Sequence, residues 1–166
     1  MNFKANSSDL LKALSHIHGV VEVRHTLPIL SNIIIEAKDN KLALLSTNLD
    51  IYCSDQIEIE TIIAGKTSVP ANTFFEIIKR LPSGSDVWMT MDDQSNEITL
   101  KCGRSKFNLA TLDTEDFPTI SEGDFSANFV MSSEELMRLI DKTKFAISNE
   151  ETRYYLNGIF FHKADR

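Results

Sequence analysis

The sequence predicts an α+β protein built from duplicated units, each a strand, a helix and three further strands. Two helices are expected to pack on one face of antiparallel sheets. Three observations support this prediction. Apolar residues recur at helical spacing in three segments, the segments between them alternate with a period of two, and a stretch near residue 30 returns 126 residues later.

The internal repeat is the most specific of these observations. Residues 24–35 are matched by residues 150–161 without a gap, and the same offset aligns Leu10 with Leu136 and Thr26 with Thr152. A chain of 166 residues cannot hold two complete units of this period. We therefore predict a complete first domain and the opening of a second. The domain bounds are expected at 1–118 and 129–166, with an acidic linker at 119–128.

Three amphipathic helices are predicted, each after a short strand, at about 2–5, 67–69 and 129–131. The first helix spans about 7–17, and the second ends at Leu81 before a Pro-Ser-Gly stop signal. Each opens with a polar cap residue followed three positions later by an acid, as in a capping box. The pairs are Asn6 with Asp9, Thr73 with Glu76, and Ser132 with Glu135.

The strands are predicted from alternation. Residues 51–61 indicate one half-buried strand, and Asp39-Asn40 indicates a tight hairpin between two apolar runs. After the second helix, three more strands are expected around 87–91, 98–102 and 107–111. Because two helices cannot cover both faces of so many strands, the domain should have a helical face and a sheet face.

The composition is typical of a globular protein, with 42% hydrophobic and 25% charged residues. The polar start and the lack of a long apolar run argue against a signal peptide or membrane span, which predicts a cytoplasmic protein. Cys53 and Cys102 lack the spacing of a zinc site or a disulfide framework. We expect two reduced, largely buried thiols.

No catalytic constellation is visible. The Gly65-Lys66-Thr67 segment lacks the upstream glycine of a phosphate-binding loop. His16 and His18 would point about 200° apart on a helix, so they should be separate surface histidines. Asp92-Asp93 is typical of a solvated hairpin tip. The sequence predicts no catalytic residue, metal or cofactor, and favours a binding protein.

The net charge of −7 argues against nucleic acid, but the three predicted helices carry a slight excess of cations over acids. Taken alone, that excess is explained by the preference of cations for helix C-termini.

Several motifs together resemble one family. They are Thr26 to Asn32, Val69-Pro70-Ala71 with Phe74 to Ile77, Gly103 to Phe107, Asp116-Phe117-Pro118, and Arg153 to Gly158. In this order and spacing they are similar to the bacterial DNA polymerase III beta subunit, or beta sliding clamp, over the whole chain. The resemblance implies a DNA-clamp fold, and a non-catalytic processivity subunit whose homodimer closes into a ring around duplex DNA. This chain alone is not expected to close a ring.

The resemblance also implies site residues. In the family the helices line the hole of the ring, where cations meet phosphates without reading sequence. The residues expected to bind DNA are Lys12, Arg24, Arg80, Arg138, Lys142, Tyr154 and Tyr155. For the tyrosines, packing within a strand is the alternative. Glu150, where relatives often carry a neutral residue, argues against a close DNA contact at that point.

Partner contacts follow from the same resemblance. Arg153 and Leu156 match a groove that binds linear peptides from polymerase and clamp-loader subunits. Judged alone, Leu156 would be a core residue. Arg104, Lys106 and Phe107 match the edge that contacts the other subunit, where an exposed aromatic would otherwise favour aggregation.

Two other functions stay open from the sequence. One is a repeat scaffold that binds only protein. The other is a metal-dependent nuclease that uses Asp50, Asp92 or Asp93.

Overall fold

A computed structural model of the chain describes residues 1–21, 27–92, 96–118 and 129–162. The chain divides into two compact units, residues 1–121 and 122–166. The predicted linker at 119–128 and the predicted DNA-binding residue Arg24 lie outside the described residues. None of the helices in the described ranges is long and apolar enough to cross a membrane.

The described residues of unit 1 form two α-helices and two antiparallel sheets. Its helices are α1 (Ser7–Ile17) and α2 (Ala71–Arg80). The strands in its described parts are β1 (Asn2–Asn6), β2 (Asn32–Lys38), β3 (Lys41–Thr47), β4 (Tyr52–Glu58), β5 (Glu60–Ile63), β6 (Gly65–Pro70), β7 (Asp86–Met91), β8 (Glu97–Cys102) and β9 (Ser105–Ala110).

The two halves of unit 1, β1 to β5 and β6 to β9, exchange their first strands. The five-stranded sheet has the order β5-β1-β7-β8-β9, and the four-stranded sheet has the order β4-β3-β2-β6. The second half of unit 1 is a strand, a helix and three strands, as predicted, whereas the first half has a fourth strand after its helix, β5. The first strand of each half pairs with the other half, because β1 pairs with β7 and β6 pairs with β2. The two halves are therefore interlocked by backbone hydrogen bonds.

One apolar core holds the helices and both sheets together. The helices α1 and α2 contact each other, and both pack on the four-stranded sheet. Phe3 of β1, Leu10 of α1 and Phe74 of α2 are fully buried in this core. The predicted α+β packing, with the helices together on one side, is confirmed.

A second, smaller core covers the other face of the four-stranded sheet. Leu30, from a 3-10 turn at Pro28–Ser31, packs there with Ile34 of β2 and with Phe117. Phe117 is buried, so the chain is anchored to unit 1 up to this residue. Tyr52 is packed against the same cluster, and its partial burial raises the pKa of its phenol.

The helix starts were predicted with mixed success. Asn6 caps α1 as predicted, because its amide oxygen accepts a hydrogen bond from the Ser8 backbone N–H at 2.9 Å. The predicted start of α2 at Thr73 was wrong. The helix begins at Ala71 directly after Pro70, which makes no side-chain cap and lacks the N–H that would continue the strand ladder.

The strand predicted over 51–61 is in fact two strands. The alternation of apolar and polar residues continues through Ile59. However, β4 ends at Glu58, and β5 pairs with β1 in the other sheet. Ile51, expected to face inward, precedes β4 and is 54% exposed. The hairpin at Asp39-Asn40 is confirmed, with φ of 50° and 58°, which the primed two-residue turn requires.

Unit 2 contains α3 (Ser133–Thr143) followed by 3-10 turns at Lys144–Ala146 and Glu151–Leu156. Ser132 caps α3 as predicted, because its hydroxyl accepts a hydrogen bond from Glu135 N–H at 3.2 Å. The strand predicted at 129–131 was wrong. A strand needs a pairing partner, and residues 129–162 form no strand that could pair with it.

We predict that Phe3→Ala lowers the free energy of unfolding of unit 1 by about 3–5 kcal/mol, because it leaves a cavity in the core and weakens the exchanged strand. Phe107→Ala is the matched control, since the same deletion occurs at a half-buried edge position and should cost less. Urea unfolding followed by circular dichroism measures both. Equal losses for the two variants would contradict the assigned core.

Candidate functional site

Two of the predicted DNA-binding cations of unit 1, Lys12 and Arg80, lie on its helices. Lys12 is exposed on α1. Arg80 is exposed in the last turn of α2, where its guanidinium forms an ion pair with Glu76 one turn earlier and donates to the Glu76 carbonyl at 3.0 Å. Because this ion pair neutralises part of the Arg80 charge, Lys12 is the more available of the two cations for an anionic ligand.

The two histidines are separate, as predicted, but only one is a simple surface residue. His16 is exposed, and its Nδ1 lies 2.6 Å from the Asp55 carboxylate on β4. His18 is half-buried and stacks on Phe75 of α2 at a centroid distance of 4.4 Å. Its Nε2 donates to the Asn72 side-chain oxygen at 2.6 Å. The prediction of a surface role for His18 was wrong, because the aromatic partner comes from a distant segment.

Two of the three residues predicted to contact a second subunit, Arg104 and Phe107, border a groove of about 1030 Å³ between α2 and the β8–β9 turn. Ile77, Leu81 and Phe107 supply apolar walls, while Glu76, Arg80, Asp86 and Arg104 supply charged groups. The turn is tight because Gly103 has a φ of 55°, which favours glycine. Arg80, assigned to DNA from the sequence, thus borders the same groove as Arg104.

The outer wall of this groove is an edge strand. Among the described strands β9 pairs only with β8, so its other side presents backbone groups without a strand partner there. Arg104 and Lys106 are exposed, but Phe107 is half-buried and packs against the core. The aromatic side chain expected to be exposed is therefore partly covered.

The predicted tyrosines of unit 2 do not lie in a strand. Tyr154 and Tyr155 belong to the 3-10 turn Glu151–Leu156, and they are 79% and 71% exposed. Their rings meet edge to face at a centroid distance of 5.8 Å. The alternative of strand packing is wrong for this structure, and both rings present large surfaces for contact.

The two residues of the predicted peptide groove lie beside the tyrosines. Arg153 forms an ion pair with Glu150 at 3.1 Å. Glu150, the acid that argued against a close DNA contact, is thus paired with a cation three residues later in the chain. Leu156 is 44% exposed, unlike its repeat counterpart Leu30, which is fully buried. The assignment of Leu156 to a core does not hold in this structure.

The predicted cations of α3 are both exposed. Arg138 and Lys142 are four positions apart, so they share a face of the helix. Asp141, between them, forms an ion pair with Lys144, with 2.7 Å between Asp141 Oδ1 and Lys144 Nζ. Arg138 occupies the repeat position of Lys12, which places a cation at the same point of α1 and α3.

The acids considered for metal chemistry are dispersed. Asp50 and Asp92 are exposed, and Asp93 lies outside the described residues. Within 1–21, 27–92, 96–118 and 129–162, no three His, Cys, Asp or Glu side chains are grouped closely enough to hold a metal ion. Of the two free cysteines, Cys102 is buried and Cys53 is half-buried.

The sequence and the fold match a known family. The family model described as DNA polymerase III beta subunit, N-terminal domain, matches residues 1–121. The chain belongs to this family. It is similar to a beta sliding clamp of Caulobacter vibrioides, with 43% identity over 162 residues, covering 98% of this chain and 44% of the relative.

Further comparisons extend the similarity over the whole chain. A beta sliding clamp of Pseudomonas aeruginosa is 39% identical over 160 residues, covering 96% of this chain and 43% of the relative. A crystal structure of the C. crescentus beta sliding clamp matches with a TM-score of 0.96 and 42% identity, covering 100% of this chain and 44% of that one. The chain therefore has the α+β clamp fold, and it spans less than half the length of these relatives.

We predict that His18→Ala lowers the free energy of unfolding of this clamp-family domain by about 1–3 kcal/mol, because it removes both an aromatic stack and a hydrogen bond between the 3-10 turn His18–Val20 and α2. His16→Ala is the control, since it loses only an exposed side-chain contact with Asp55, worth at most about 1 kcal/mol. Urea unfolding at neutral pH compares them. A larger loss for His16→Ala would contradict the assigned contacts.

Proposed function

We propose that this chain is the N-terminal part of a sliding clamp, a non-catalytic ring that encircles duplex DNA and tethers the replicative polymerase for processive synthesis. The observation that carries the proposal is the match of the whole chain to a beta sliding clamp structure at a TM-score of 0.96. In this proposal residues 1–118 form a complete clamp domain, 119–128 a linker and 129–166 the beginning of the next domain. The protein acts in the cytoplasm.

The DNA contact is assigned to the helices. Lys12 and Arg138 are exposed at equivalent positions of α1 and α3, and Lys142 lies one turn after Arg138. Arg24 and Arg80 are assigned to the same path. Such side chains attract phosphates without reading bases, and that attraction is compatible with sliding. Enclosure of the duplex holds the ring in place, so no single contact has to be strong.

The subunit contact is assigned to the β9 edge and the neighbouring groove. A partner strand would satisfy the unpaired backbone groups of β9, and apolar partner side chains would fill the space beside Ile77, Leu81 and Phe107. Arg104 and Lys106 would fix the orientation by charge. Two full-length subunits joined in this way close the ring.

The contacts with other replication proteins are assigned to unit 2. Leu156 offers an exposed apolar surface next to Arg153, which suits short linear peptides from polymerase and clamp-loader subunits. Tyr154 and Tyr155 offer exposed rings on which unpaired bases near a primer junction can stack.

We predict that the full-length clamp carrying this segment, once loaded, stays on closed circular DNA and leaves after the circle is cut. Retention is measured by gel filtration of labelled protein with DNA. Phe107→Asp should shorten retention on circles, because it places a charge in the subunit contact. Lys41→Ala, an exposed change on the β2–β3 hairpin, is the control. Equal retention on circles and linear fragments would rule out enclosure and favour a protein-binding scaffold.

We predict that Lys12→Ala in the same full-length protein weakens association with duplex DNA, and that the slope of log K against log salt becomes shallower by about 0.9 for one lost phosphate contact. Fluorescence anisotropy over a salt series measures the slope. Lys41→Ala again serves as the control, since it removes the same charge from a hairpin. An unchanged slope for Lys12→Ala would contradict a phosphate role for this residue.

A further inference from the structure

The outward face of the five-stranded sheet carries an exposed tryptophan among lysines. Trp88 of β7 is 41% exposed, whereas its neighbours Val87 and Met89 point inward and are fully buried. In the ladder Trp88 lies between Lys4 of β1 and Lys101 of β8. Lys106 of β9 lies opposite Lys101, so these four side chains form one row across the sheet.

The residues on the two sides of the tryptophan have different roles. The Lys4 ammonium lies 5.7 Å from the centroid of the indole and pairs with Asp86 at 2.9 Å. Asp86 raises the pKa of Lys4 above its ordinary value, chiefly through this hydrogen bond, so Lys4 stays charged. Lys4 therefore holds the indole from one side, and its own charge is already balanced.

The lysines on the other side are not balanced in this way. Within the parts of the chain that the structure describes, no ion pair is formed by Lys101 or Lys106, and both are exposed. Like charges directly opposite each other on adjacent strands destabilise a hairpin. A bound anion would relieve this repulsion. In a chain of net charge −7, an uncompensated basic pair next to an exposed aromatic ring indicates an anionic partner with a flat group.

We propose that this row, which we call the Trp88 row (Lys4, Trp88, Lys101 and Lys106), binds single-stranded nucleic acid. A base stacks on Trp88, and the adjoining phosphates meet Lys101 and Lys106. The helical face proposed for duplex DNA is a different surface of unit 1. The Trp88 row thus provides a second contact for an unpaired strand.

An acidic peptide fits the same row less well. Peptides that bind sheets gain most of their affinity by adding a strand at an edge. The strands β7 and β8 are interior, each paired on both sides, so no strand can add there. A single strand of nucleic acid needs only cations and an aromatic plane, both of which the row presents.

The test uses the built-in probe, because Trp88 is the single tryptophan of the chain. Unlabelled oligothymidylate is titrated into the protein at low salt, and tryptophan fluorescence reports stacking. We expect saturable quenching. Lys101→Ala should weaken binding and make the salt slope shallower by about 0.7, the value for one phosphate of a single strand. Lys106 is left unchanged, because β9 is also the proposed subunit edge.

Trp88→Ala removes the probe, so its effect is measured by anisotropy of a labelled oligonucleotide, with an expected loss of about tenfold in affinity. The control is Lys41→Ala on the β2–β3 hairpin, which removes an exposed charge far from any assigned contact and should keep the quenching of the unaltered chain. Circular dichroism checks that each variant is folded. If Lys12→Ala loses duplex binding while quenching persists, the two sites are independent.

Several results would overturn the proposal. Absence of quenching at millimolar nucleotide would do so, as would equal quenching by a blunt duplex, which offers no free base. Quenching by polyglutamate with the same dependence on Lys101 would assign the row to acidic peptides instead. Retention of full affinity by the folded Trp88→Ala variant would exclude stacking.

Discussion

The exchange of first strands between the two halves of unit 1 is the constraint on which the rest of the domain depends. Because β1 pairs with β7, and β6 pairs with β2, each half completes the sheet of the other. Phe3 and Val69, one from each exchanged strand, are fully buried in the same core. Neither half can then bury its helix without the other, and α1 and α2 are brought into contact as a pair. The helical face and the β9 edge follow from this interlock.

The internal repeat separates what local sequence determines from what distant pairing determines. With the offset of 126, α1 matches α3 residue for residue, and both are followed by a three-residue 3-10 turn. The turn at Pro28–Ser31 partly overlaps residues 25–30, the range that the offset assigns to Glu151–Leu156. Within residues 129–162 the strands do not recur, although the sequences match, because a strand forms only when a partner satisfies its backbone groups.

The same distinction explains which features could be predicted from the sequence. The bounds of α1, the cap at Ser132 and the Asp39-Asn40 hairpin depend on neighbouring residues, and the sequence predicts them correctly. The division between β4 and β5 depends on which sheet receives each strand, and alternation does not reveal that. The stack of His18 on Phe75 and the groove beside Phe107 likewise arise from contacts between distant segments. The sequence identifies the cations on the helices, but it does not show that Arg80 pairs with Glu76, which leaves Lys12 as the cation without that partner.

Differences between the two copies of the repeat indicate where function departs from folding. Leu10 and Leu14 of α1 are fully buried, and their counterparts Leu136 and Ile140 of α3 are apolar too, so these positions serve the fold in both copies. The turn after the helix behaves differently, because Pro28-Ile29 is replaced by Tyr154-Tyr155. Ile29 is buried in the smaller core, whereas a tyrosine can contact apolar surface while its hydroxyl stays in water. The second copy therefore carries two exposed aromatic rings where the first copy carries Pro28 and a buried packing residue, Ile29.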